Sequence, residues 1–155
     1  MLKKAFAVWL CIHSPAGMAD AALVGQLMNE VATLTGRTFG TKVSVLQIPD
    51  PWFSWAVCHK PTKQCGIIAT TYPNGAILLN RSKVDLSTLD GRSILVHELV
   101  HVTQQITTPT YASPQACFTA EREAYDISFK WAKAHKHFVK AEPDIRINLY
   151  CGVIP

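Results

Sequence analysis

The sequence predicts a single α+β domain. Apolar residues recur at helical spacing near the start of the chain and twice in its second half. Short alternating or apolar runs bounded by Pro, Asn and Gly lie between those segments. A length of 155 residues with 48% hydrophobic content is enough for one core. No internal repeat, low-complexity tract or long run of like charge divides the chain.

The first segment has the order of a leader: Lys3 and Lys4, an apolar run over residues 5–12 (AFAVWLCI), then small residues over 16–22 (AGMADAA). That order predicts a secretory signal peptide over residues 1–21, cut after Ala19 or Ala21, and a single domain over 22–155. The apolar run is too short for a permanent membrane helix, so no stable membrane anchor is expected. A secreted or periplasmic protein follows.

Residues 21–34 place Leu23, Leu27, Val31 and Leu34 at helical spacing, with Gly36 as a stop signal. Residues 42–48 (KVSVLQI) alternate as a half-buried strand does, and Pro49, Asp50 and Pro51 end the run. Residues 52–57 are expected as a further strand. Two more β-like runs, 66–72 and 76–80, flank Pro73, Asn74 and Gly75, which suits a hairpin. A helix over 91–106 starts near Asp90 and Gly91 and stops at Thr107, Thr108 and Pro109. Ser113 and Pro114 make an N-cap and first-turn pair for a last helix running to about residue 137, with Pro143 beyond it.

Loss of the leader removes Cys11 and leaves Cys58, Cys65, Cys117 and Cys151. Four cysteines allow three pairings. The short loop CHKPTKQC favours Cys58 with Cys65, which leaves Cys117 with Cys151. No CxxC spacing supports a cysteine-bound metal. The mature chain would hold 13 Lys and Arg against 11 or 10 acids, and no basic stripe interleaved with aromatics, so no nucleic-acid partner is expected.

The chemistry centres on His97, Glu98, Leu99, Val100 and His101, an HExxH motif. Three fixed positions arise by chance in roughly one chain of this length in a few hundred, so the context matters. Leu95, Leu99, Val102 and Ile106 form a buried helical stripe, and His97, Glu98, His101, Gln104 and Gln105 fall on other faces. Residues four apart share one helix face, so both imidazoles can reach one Zn²⁺, while Glu98 sits beside it as a base for a water proton.

A catalytic zinc site needs a third protein ligand. The last helix supplies Glu121 and Glu123. Glu121 shares a face with Cys117, Phe118, Tyr125, Phe129 and Ala132, the apolar inward side. Glu123 falls with Thr119, Ile127, Lys130 and Ala134, so Glu121 is preferred and Glu123 stays as the alternative.

HELVHVTQQ followed by EREAYD resembles the gluzincin branch of HExxH metallopeptidases. The resemblance spans chiefly residues 91–132 and implies a minimal zincin-like domain. Its parts would be an N-terminal helix, a small sheet with a hairpin, the motif helix and a second long helix carrying the glutamate. It further implies zinc held by His97, His101 and Glu121, with Glu98 as general base. Where that branch usually has Asp or Asn four residues after the glutamate, this chain has Tyr125. The hairpin between Ile67 and Leu79 resembles the zincin edge strand on which a substrate backbone pairs.

The expected function is therefore zinc-dependent hydrolysis of an amide bond in a peptide or protein substrate by a monomeric, exported protein of bacterial type. A non-catalytic secreted zincin scaffold that binds zinc or a partner is the rival, and a disulfide-stapled domain without metal is the third reading. Tyr111, Tyr125, His59 and Tyr150 are the candidates for oxyanion donor. His135 and His137 are expected to complement the dipole of the last helix.

Overall fold

The computed structural model describes residues 17–60, 64–104, 111–138, 147, 150 and 151. The fold is α+β; the elements whose bounds fall among the described residues are four helices and a small mixed sheet of four strands. In chain order the elements are β1 (Gly17–Met18), α1 (Ala21–Thr35), β2 (Ser44–Ile48), α2 (Trp52–Cys58), β3 (Ala69–Thr71), β4 (Ala76–Asn80), α3 (Leu89–Thr103) and α4 (Pro114–Ala134). None of the helices is long and apolar enough to cross a membrane, among the described residues.

The sheet runs β1-β2-β4-β3. Its central pair, β2 and β4, is parallel, with Val45 opposite Ile77, and both outer strands are antiparallel to their neighbours. Alternation sends Val45, Ile77 and Leu79 into the core. The expected hairpin is formed: Tyr72 N donates to Ala76 O at 2.8 Å, and Gly75 takes a φ of 80°. A side chain at Gly75 would also stand 2.5 Å from the Lys42 carbonyl, so glycine is required there twice over. Only residues 69–71 of the 66–72 run pair as a strand, and β2 begins at Ser44 instead of Lys42.

Helix α1 ends at the expected Gly36, in the left-handed conformation, and starts at Asp20, an N-cap the sequence reading did not name (Leu23 N to Oδ1, 2.8 Å). It buries Val24, Leu27 and Val31, whereas Leu34 stays 38% exposed. Residues 1–16, most of the expected leader, lie outside the described residues. The two cut points expected at its end fall inside built structure: β1 pairs with β2, Ala19 N donates to Val45 O at 3.0 Å, and Asp20 caps α1.

The expected strand over residues 52–57 is instead the helix α2. Phe53 N bonds back to Pro49 O at 3.2 Å and Trp55 N to Pro51 O at 3.1 Å, while the Asp50 carboxylate accepts from Ser54 Oγ at 2.6 Å. Phe53 and Ser54 are buried, and Trp52 and Trp55 face out. A six-residue apolar run carries no period by which strand and helix can be separated, so the bonds to the preceding turn decide.

Helix α3 lies in the middle of the molecule, against α1, α4 and β3. Its expected stripe is buried at Leu95, Leu99 and Val102, and Val96 and Val100 are fully buried too. It starts earlier than expected, at Leu89, because Thr88 and not Asp90 is the N-cap, with Thr88 Oγ1 accepting from Gly91 N at 3.1 Å. Ile106 and the stop at 107–109 lie outside the described residues. Helix α4 has the expected Ser113 cap and Pro114 in its first turn, and ends at Ala134. Its inward stripe is Cys117, Glu121, Ala124, Ser128 and Trp131. Phe118, Tyr125 and Phe129, expected inward, sit at the rim, and Ile127, expected outward, is buried. Cys58 is bonded to Cys65 and Cys117 to Cys151.

Candidate metal centre

Helices α3 and α4 pack along their lengths and bring three side chains to one point. His97 and His101 project from successive turns of α3, and Glu121 faces them from α4. His97 Nε2 is 3.1 Å from His101 Nε2 and 3.2 Å from Glu121 Oε2, and His101 Nε2 is 3.4 Å from Glu121 Oε1. A tetrahedral ion with bonds of about 2.0–2.1 Å to nitrogen and oxygen has ligand atoms separated by about 3.3–3.4 Å. The residues therefore fit a zinc-sized ion in size as well as in chemistry, two imidazoles and one carboxylate.

The electrostatics of this triangle are those of a charged buried cluster. Burial disfavours a proton on His101, but the hydrogen bond and negative charge of Glu121, with the charge of Glu98, outweigh it and hold the imidazole up at about 9. Burial likewise opposes ionisation of Glu121, and the hydrogen bonds from His101 and His97 overcome it, keeping the carboxyl well below the usual range. Glu123 is elsewhere. Its side chain is 34% exposed against 11% for Glu121, and it bonds Arg37 at 2.6 and 3.2 Å.

Glu98 is buried beside the triangle without belonging to it. Its Oε2 accepts from the Thr71 hydroxyl at 2.7 Å, and that hydroxyl also lies 3.1 Å from the Glu98 backbone carbonyl. Thr71 is the last residue of β3, one of the sheet's two edge strands, so that edge is joined to Glu98. Sequence reasoning did not find Thr71, because its contact depends on how the sheet docks on α3. Gln104, placed by sequence only on a polar face, accepts at Oε1 from His101 Nδ1 at 2.8 Å.

Of the four oxyanion candidates, Tyr111 donates to Glu121 Oε1 at 3.0 Å, and burial followed by the charge of Glu121 pushes its phenol up. Tyr150 is pushed up by burial and then by the charges of Glu121 and Glu98. The Tyr125 ring meets the His97 ring edge-on at 4.5 Å between centroids. His59 ends α2 in the left-handed conformation and makes no bond to the triangle among the described residues. His135 and His137 do more than face a helix dipole: His135 stacks on Trp131, and His137 bonds Asp90 at the start of α3 at 2.7 Å.

Residues 26–109, more than half of the chain, match the family described as the eCIS core domain. The chain belongs to that family. The matched span of this eCIS core domain begins within α1 and ends beyond α3, so it contains His97, Glu98, His101, Thr71 and Gln104. Glu121 and Tyr111 lie outside it. No curated protein and no solved structure matches the chain.

Proposed function

We propose that this eCIS core domain is a zinc-dependent hydrolase acting on an amide bond of a peptide or protein. The observation that carries the reading is the convergence of His97, His101 and Glu121 with Glu98 held beside them. The resemblance to gluzincins supports the same assignment. His97, His101 and Glu121 would hold the ion through the two Nε2 atoms and the Glu121 carboxylate, of which one oxygen faces each imidazole. Zinc in such a site polarises a carbonyl and lowers the pKa of water.

The residues of the chain divide the remaining work. Glu98 takes a proton from the attacking water and passes it to the leaving amine. Thr71 donates to one oxygen of that carboxylate, which aims the other at the proton in flight. Tyr111 donates to Glu121 and so fixes the carboxylate on which the site closes. An extended substrate backbone pairs with the outer side of β3, whose last residue is Thr71, and its scissile bond is thereby laid beside Glu98. Two disulfides support a chain working in an oxidising compartment, exported as the leader-like start suggests.

Zinc analysis of protein purified without chelator, with cleavage of a peptide library by wild type and Glu98→Gln, tests the proposal. One zinc per chain is expected in both, with kcat lower by about 10²–10⁴-fold in the variant. Zinc-free wild type, or equal cleavage by the two proteins, would overturn it. The family description favours a second reading, because it refers to an extracellular contractile injection system and so to an assembly, not to a reaction. In that reading zinc ties α3 to α4 in a non-catalytic component. Stoichiometric zinc with no cleavage of any library peptide supports it over hydrolysis.

A further inference from the structure

Gln104 lies three residues beyond His101, where the next turn of α3 closes, and its side-chain amide is bonded at both ends. Nε2 donates to the Ala120 carbonyl at 2.9 Å and to Glu123 Oε2 at 3.0 Å. Two acceptors face that end of the amide, so it is the NH₂ end. A carbonyl there would meet two oxygens with no proton between them. Oε1 is then the atom 2.8 Å from His101 Nδ1. An amide oxygen only accepts, so Nδ1 carries hydrogen, and a neutral His101 ring has its free electron pair on Nε2. Nε2 is the atom that converges with His97 and Glu121.

Behind the amide stands a brace. Glu123 is bonded by the two terminal guanidinium nitrogens of Arg37, at 2.6 and 3.2 Å, and Arg37 follows the C-terminal end of α1. A half-exposed ion pair of this kind adds little to stability. Its place next to Gln104 gives it a different use, holding an acceptor where the NH₂ group must point.

We infer that Gln104 is a positioning residue of the metal centre: braced by the Ala120 carbonyl and the Glu123–Arg37 pair, it locks His101 in the Nδ1–H form that offers Nε2 to zinc. The inference rests on the zinc reading. It gives Glu123, two positions from the ligand Glu121, a separate task in the same site.

The test is zinc affinity by chelator competition and the visible d–d spectrum of the cobalt(II) form, on the full chain. Gln104→Met, of similar size and without an acceptor, and Gln104→Ala are expected to weaken zinc by about 10–100-fold and to change the cobalt bands. Wild-type affinity and an unchanged cobalt spectrum in Gln104→Met would overturn the inference and leave the zinc centre standing. Wild type that binds neither zinc nor cobalt would instead remove the zinc reading and this inference with it.

Discussion

Glu121 and Glu123 stand two positions apart on α4, and their surroundings give them different chemistry. Glu121 points between helices at two imidazoles, whereas Glu123 points along the flank at Arg37 and Gln104. A carboxylate among imidazoles gives a pH signature in the metal-free protein. The folded His101 lies at about 9 against an ordinary 6.5, so its contribution to stability is complete below 6.5 and fades as pH rises through 9. The Glu121 carboxyl is lowered, so its contribution is present above the ordinary 4.5 and fades as pH falls below that. Both act fully between the two ordinary values. Chelator-treated protein is therefore expected to melt at a higher temperature at pH 6 than at pH 9.5, and His101→Gln to lose most of that difference. Equal melting of the wild type at the two values would count against the cluster. With zinc the trend opposes this one, because the ion needs a neutral His101 and its stabilisation grows as pH rises.

At the scale of elements, the position of α3 depends on its first turn. Gly91 sits there with its α-carbon pressed on the preceding loop, and a Cβ would stand 2.0 Å from the Asp85 backbone oxygen. Alanine is the better helix former by about 1 kcal/mol, yet forcing a backbone segment aside costs about 1–3 kcal/mol, so the steric effect decides the sign. Gly91→Ala is expected to be destabilised in urea unfolding. A variant as stable as wild type would show that the loop yields. Helix α2 is decided locally as well: its first-turn bonds are made with Pro49, Asp50 and Pro51, residues whose punctuation was legible, but the coiling of the run after them was not. For α4, helical phase selected Glu121 over Glu123 while misplacing Tyr125 and Ile127, because a helix packed on several partners buries a broader sector than one stripe.

At the scale of the whole molecule, the short strand β1 and the Asp20 cap tie the start of the described chain to the sheet and to α1. A chain starting at Ala22 lacks both. It is expected to be less stable than one starting at Gly17 by at least about 1 kcal/mol, the typical worth of an N-cap alone. Coincident urea transitions for the two chains would contradict this.

By itself the sequence determined the α+β class, the hairpin turn at Gly75, the stop at Gly36, the cap at Ser113 and the disulfide pairs. It also carried the two histidines with their glutamate, since each of these is written in local spacing or in helical phase. Only the tertiary structure decided which strand meets Glu98, which tyrosine reaches Glu121 and what Gln104 and Glu123 hold. Those contacts join residues far apart in the chain through the docking of β3, α3 and α4. Their geometry follows from how the core packs, and no short-range pattern records it.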